Sequence, residues 1–150
     1  MVDVGGKPVT LREAQARAVV QMKPETLERI VSGRIEKGEV FSVARLAGIM
    51  AAKRTGDLIP LCHPLGLDVV EVHLDPIGPG EIEVRSRVKV EAKTGVEMEA
   101  LVAVTIAALT VYDMCKAVDR DIEITSVHLL EKKGGRSGTY RRKPTKPDSR

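Results

Sequence analysis

The chain has 150 residues, of which 43% are hydrophobic and 30% charged, and it carries two cysteines. That balance excludes wholesale disorder and a disulfide scaffold, and free thiols suit a reducing cytoplasm. The net charge of +3 is unevenly placed: residues 132–150 hold eight Lys or Arg against one Asp, whereas residues 1–131 hold sixteen against twenty Asp or Glu.

One domain over residues 1–138 is expected, followed by a basic, mobile tail over 139–150. No apolar stretch approaches the roughly 20 charge-free residues of a membrane span. The first residues lack the basic-then-apolar layout of a secretory leader. These features give the expectation of a cytoplasmic protein with no membrane partner.

Residues 10–22 alternate, with Ala14, Ala16, Ala18, Val20 and Met22 on one face. Period two predicts a half-buried strand. Pro24 suits a first helical turn, Leu27, Ile30 and Val31 form an apolar stripe, and Gly33 stops the helix. A second helix is expected over 40–54, with Val43, Leu46, Ala47 and Met50 at helical spacing. Residues 67–74 and 81–93 read as a strand pair joined through Pro76 to Gly80. Residues 98–118 are the longest helical candidate and leave almost no polar face before Tyr112, which predicts a helix buried on most sides. A last strand runs from Ile122 to about Leu130. The order β-α-α-β-β-α-β predicts a ferredoxin-like βαββαβ α+β sandwich with an additional helix, its antiparallel sheet packed on helices.

Chemistry concentrates at a few strings. Asp113 and Lys116 share a helical face, and the bland reading is a surface ion pair of little worth. It is weakened because the pair ends an otherwise apolar helix, where partial burial tunes acid and base groups. Leu61, Cys62 and His63 sit in a turn stiffened by Pro60 and Pro64. Glu97 and Glu99 flank Met98 at a helix start, where one carboxylate is explained by the helix dipole and two need not be. Lys53, Arg54, Lys37, Lys116, Lys132 and Arg12 supply cations for a polyphosphate. Residues 132–138, rich in Lys and Gly, could cradle phosphate through backbone amides. There is no GxxxxGK[ST] loop, no strand-borne GxGxxG and no CxxC or HxxxH spacing, so no cofactor or metal site is expected. One Phe, two Tyr and no Trp leave the sheet without a base-stacking platform, so specific nucleic-acid binding is not expected either.

Taken together, Met1 to Val4, Gly33-Arg34, Lys37-Gly38, Ala51 to Thr55, Leu58 to Leu65, Lys93 to Ala100, Leu109 to Val118 and Gly134-Gly135 resemble the MoaC family. The resemblance runs from Met1 to about Gly138. It implies conversion of (8S)-3′,8-cyclo-7,8-dihydroguanosine 5′-triphosphate to cyclic pyranopterin monophosphate with release of pyrophosphate, a phosphorus–oxygen lyase step of molybdenum-cofactor biosynthesis. It implies catalytic Asp113, Lys116 and Lys37, with substrate contacts from Leu61, Cys62, His63, Glu97, Met98, Glu99 and Lys132. Lys53, Arg54 and Arg12 match less closely. No resident cofactor is implied, although magnesium can accompany a triphosphate. The resemblance further implies a homohexamer, a trimer of dimers with sites between subunits, in which Lys37 and Asp113 can come from different chains. It also implies a functional link to the radical SAM enzyme that makes the substrate. Ile35-Glu36 and Arg136 depart from the family pattern. The competing class is a noncatalytic nucleotide- or RNA-binding module that uses the basic tail.

Overall fold

The structure is a computed structural model that describes residues 1–143. Strand β1 spans Thr10–Gln21, and its inward Ala14, Ala16, Ala18 and Val20 are buried, as their alternation predicts. It lies between β3 (Glu81–Ala92) and β4 (Glu123–Lys133); β2 (Val69–Gly78) flanks β3, and β5 (Tyr140–Arg141) flanks β4. The sheet order β2-β3-β1-β4-β5 is antiparallel throughout. Its first four strands have the ferredoxin-like arrangement.

Four helices accompany the sheet: α1 (Pro24–Val31), α2 (Val40–Ala52), the single turn α3 (Thr55–Leu58) and α4 (Glu97–Cys115). Helix α4 packs on β1, β3 and β4, and α2 packs on α4. The sheet side of this contact is built small. Ala14 stands opposite Val88, Ala16 opposite Ser86 and Ala18 opposite Val84. Helix α4 answers with Ala100, Ala103, Val104, Ala107, Ala108 and Val111, all buried. Small facing side chains let helix and sheet approach closely at native packing density. The one hydroxyl in this layer is satisfied, since Ser86 Oγ donates to the Ala100 carbonyl at 2.8 Å.

Several expectations need correction. In α2 the large apolar residues at the expected spacing face outward: Val43, Leu46 and Met50 are exposed, whereas Val40, Ala44, Gly48, Ala51 and Ala52 are buried and Phe41 and Ile49 are half-buried against the core. The cause is the closeness of α4: a Cβ on Gly48 would lie 2.8 Å from the Ala103 carbonyl oxygen. Only the small side of α2 fits there. Val31 is likewise exposed, beside buried Leu27 and Ile30. The expected helix over 40–54 ends at Ala52, and α3 follows after Lys53 and Arg54. The β2–β3 connection is shorter than expected, because β2 runs to Gly78 and only Pro79-Gly80 turn. Strand β4 continues to Lys133, where Glu131 and Lys132 pair with Arg141 and Tyr140 of β5. Residues 144–150 of the expected tail lie outside the described residues.

Helix α1 has no side-chain cap of its own. Asp119, 2% exposed, takes that place from across the chain. It accepts from the Lys23 backbone N–H at 2.9 Å, the Thr26 hydroxyl at 3.0 Å and the Asp121 backbone N–H at 3.1 Å. Burial pushes its carboxyl up, but these donors outweigh it and hold it below the usual range. Helix α4 is long and apolar enough to cross a membrane by length and composition alone, and most of it forms the core of this fold.

Candidate functional site

At the C-terminal end of α4, Asp113 lies between two ammonium groups. Lys116, three residues on, reaches Asp113 Oδ1 at 2.7 Å, and Lys37 reaches Oδ2 at 2.7 Å. The Lys37 Nζ also donates to the Asp113 backbone carbonyl at 2.9 Å. Lys37 comes from the loop between α1 and α2, which is pinned by buried Ile35 and turned by Gly33 and Gly38, both at positive φ. Ile35 is thus a packing residue of the loop that carries Lys37. The oligomer expected from sequence would let Lys37 and Asp113 come from different chains; here one chain brings them together.

The hydrogen bond from Lys116, then that from Lys37, hold the Asp113 carboxyl down at about 2, and Asp113 raises the Lys116 ammonium in return. All three side chains are about half exposed. At neutral pH, Asp113 is therefore a carboxylate and Lys116 an ammonium. A carboxylate so held is a poor base, and a lysine so held is a poor acid. Such a cluster moves protons only after a bound anion or a covering surface separates the ion pairs. Beneath it, Cys115 is buried and its thiol is pushed up to about 11, chiefly by desolvation, which keeps it protonated.

The N-terminal end of α4 borders a cleft of about 440 Å3. Leu61, Cys62 and His63 form one wall, and Glu97, Met98 and Glu99 form another. Glu97 is held by Lys132 of β4 at 2.8 Å. Glu99 is 3% exposed, and its Oε2 has no hydrogen-bond partner. Burial, with a smaller push from the charge of Glu97, raises its carboxyl above the ordinary range. Burial and the nearby Glu99 also raise the Cys62 thiol, so Cys62 is not poised as a thiolate nucleophile. Glu99 lines a second, smaller cleft too, of about 200 Å3, with Lys53, Arg54 and Asp57 around it.

Nine of the thirteen residues singled out in the sequence therefore gather around the start of α4, counting Lys53 and Arg54 through the shared Glu99 wall. Arg12 lies in an adjoining cleft with Arg136. Lys37, Asp113 and Lys116 do not join them: Glu99 and Asp113 are separated by about 21 Å of helix at ~1.5 Å per residue. Sequence reasoning missed Val2, Val4, Lys7, Leu65 and Thr94, which also line the main cleft. Val2, Val4, Leu65 and Thr94 lie within the strings Met1 to Val4, Leu58 to Leu65 and Lys93 to Ala100 that carry the resemblance, whereas Lys7 lies in none of them. Among the described residues, no three His, Cys, Asp or Glu side chains converge as a metal site would require.

Comparison with known proteins places these features in context. The model of the MoaC family matches residues 1–135. The chain is 61% identical over 142 residues to cyclic pyranopterin monophosphate synthase 3 of Mycobacterium tuberculosis (strain ATCC 25618 / H37Rv), covering 95% of this chain and 80% of the relative. Cyclic pyranopterin monophosphate synthase 1 of the same strain is also 61% identical, with 95% and 84% covered. Cyclic pyranopterin monophosphate synthase of Pelotomaculum thermopropionicum is 58% identical over 144 residues, with 95% and 85% covered.

Proposed function

Because the chain belongs to the MoaC family, we propose that it is a cyclic pyranopterin monophosphate synthase of molybdenum-cofactor biosynthesis. Its substrate is the cyclised dihydroguanosine triphosphate, and its products are cyclic pyranopterin monophosphate and pyrophosphate, which makes it a phosphorus–oxygen lyase. The relatives' names support the reaction, and the single structural observation that carries it is the Lys37–Asp113–Lys116 cluster. A module that only binds nucleotide or RNA needs cations, but not a carboxylate clamped between two of them.

The roles follow from the chemistry of each group. Glu97 and Glu99 offer acceptors to the N–H-rich edge of a guanine-derived ring, with Met98 and Leu61 against its face. Lys132, Lys53, Arg54 and Arg12 supply positive charge for the phosphates. The incoming anion competes with Asp113 for Lys37 and Lys116, and the released carboxylate and ammonium then act as base and acid. No resident cofactor is proposed, and magnesium can accompany the triphosphate.

One substrate cannot touch both ends of α4 in a single chain, so the working site joins the cleft of one subunit to the cluster of another. This supports an assembly with sites between subunits, and the resemblance makes that assembly a homohexamer, a trimer of dimers. The outward Val43, Leu46 and Met50 of α2, with Leu109 of α4, provide apolar surface for such contacts. We place the enzyme in the cytoplasm, downstream of the radical SAM enzyme that supplies its substrate.

The test is to feed the purified protein the cyclised triphosphate and to measure pyrophosphate release and pterin product. Wild type, Asp113→Asn and Lys116→Ala are run together, with the oligomeric state checked. Turnover by wild type and its collapse in both variants is the expected result. A correctly assembled wild type without turnover would overturn the assignment in favour of a binding module.

A further inference from the structure

Ala16 and Ser86 are buried beneath α4, so their neighbours Arg17 and Arg85 project from the opposite face of the sheet. There the pairings put four basic side chains in one row across four strands. His73 of β2 stands opposite Arg85 of β3, Arg85 opposite Arg17 of β1, and Arg17 opposite His128 of β4. Side chains directly opposite lie about 4.5–5.5 Å apart at Cβ, and like charges so placed repel. One carboxylate answers them: Glu83 pairs with Arg17 and, at 2.6 Å, with Arg85. Arg17, Glu83, Arg85 and His128 line a cleft of about 440 Å3 together with Leu130, Arg142 and Lys143. Arg142 and Lys143 make no ion pair among the described residues, so four cations face one carboxylate.

The backbone is distorted to make this row. Val19 pairs with Thr125, so a regular β4 would set Val127 opposite Arg17. The register shifts at this point and puts His128 there instead. Ser126, inside the shift, has φ 55° and is the one non-glycine residue at positive φ among the described residues. Bulges re-aim side chains, and strained residues persist where a site uses them. A second shift, between Gln15 opposite Glu131 and Ala16 opposite Leu129, leaves Leu130 over. The Leu130 carbonyl accepts from the Arg142 backbone N–H at 2.8 Å, which brings Arg142 to the cleft. Burial, then the charges of Arg142 and Arg17, push the His128 imidazole down, so at neutral pH it stands mostly uncharged among these cations. A bound anion reverses that push.

We propose that this outer cleft binds a compact phosphate anion, held by Arg17, Arg85 and Arg142, with His128 as the group that gains a proton on binding. Glu83 takes the Nε of Arg17 and of Arg85, which fixes both guanidinium groups and leaves their terminal N–H donors for the anion. Guanidinium groups grip phosphate oxygens through such paired donors. The cleft is concave, and no Phe, Tyr or Trp lines it among the described residues, so it suits a small phosphate rather than single-stranded nucleic acid. None of its residues lines the clefts at the start of α4. Two sources share this chemistry: orthophosphate, and the pyrophosphate released by the reaction proposed above. Only the second source rests on that reading; the cleft itself does not.

The three histidines report separately, because His63 lines the main cleft whereas His73 and His128 lie in the row. Their imidazole resonances are followed by NMR in the full-length, assembled protein, with His128→Gln to assign His128. Inorganic phosphate and inorganic pyrophosphate are added in turn, with chloride at matched ionic strength as the control for screening. Either anion should raise the His128 titration midpoint where chloride does not. Arg142→Ala should weaken the binding that His128 reports on the order of tenfold. Arg142 is exposed, so thermal melting should not move. Tighter binding of pyrophosphate names the reaction product as the occupant, and tighter binding of phosphate names orthophosphate; each supports the cleft. A His128 midpoint that moves no more than in chloride, or that moves equally in Arg142→Ala, overturns the inference. Binding reported by His63 alone, or a His128 response to an RNA oligonucleotide but to neither anion, overturns it too. The readout needs no turnover, so a wild type without the assigned activity would remove that reaction and leave the cleft standing.

Discussion

Glu99→Gln should stabilise the fold while it damages turnover. The wild-type carboxyl is 3% exposed with Oε2 unpaired, so its ionised form is a desolvated charge in the fold. An orphaned neutral polar group costs about 1–3 kcal/mol and an orphaned charged one more. Exchanging charge for amide at nearly constant volume should therefore return about 1–2 kcal/mol. In a chain of this length, that is a rise in Tm of roughly 2–8 °C. The sign also depends on pH. The folded-state pKa of Glu99 is raised above the ordinary 4.5, so the folded protein binds the proton more tightly than the unfolded chain. Wild type then loses stability as pH rises from the unfolded pKa through the folded one, and the glutamine variant does not. The assay is thermal melting of both proteins, in their assembled state, from pH 4 to pH 8. The gain of the glutamine variant over wild type should grow from the acid end to the alkaline end. A glutamine variant less stable than wild type at pH 8, or a gain that ignores pH, would refute the account of Glu99 as an unpaid charge in the wall of the cleft.

Two further outcomes test other parts of the structure. Asp119→Ala strands the Lys23 and Asp121 backbone N–H groups and the Thr26 hydroxyl and uncaps α1; it should cost about 2–4 kcal/mol, seen in urea unfolding as a lower midpoint with unchanged slope. Acid titration of Asp113, followed by carboxyl NMR, should give a midpoint near 2. The midpoint should move back toward 3.8 when Lys37 and Lys116 are both replaced by Ala. The lowered pKa means that this contribution to stability is present above 3.8 and is lost as pH falls through about 2. Because the cluster is half exposed, the double variant should otherwise melt within a few degrees of wild type.

Strand and helix identity were legible in the chain because periodicity is a local property. The alternation of β1 states which residues enter the core before any partner is known, and the structure buries Ala14, Ala16, Ala18 and Val20. The unbroken apolar run of α4 announces a core helix for the same reason. Orientation was less legible where apolarity covers more than one face. In α2, hydropathy favours burying Val43, Leu46 and Met50, but the distance to α4 selects the alanines and Gly48 instead. Packing distance is set by the partner, and no window of sequence contains it.

The candidate site divides in the same way. The strings Leu61-Cys62-His63 and Glu97-Met98-Glu99 are contiguous, so their residue types could be read directly, and the fold brings them to one cleft. Asp113 and Lys116 are related by a single helical turn and were equally visible. The contact of Lys37 with Asp113 crosses 76 positions, and that of Lys132 with Glu97 crosses 35. Neither pairing is encoded at any short spacing. The cap that Asp119 gives α1 crosses 96 positions to Lys23 and was invisible for the same reason. Sequence alone determined the elements and the chemical inventory, since both depend on residues and their near neighbours. Tertiary structure alone decided that this inventory falls into two groups at opposite ends of α4, and that Arg17, Arg85 and His128 share one cleft, because a side chain's partners are fixed only when distant segments share a space.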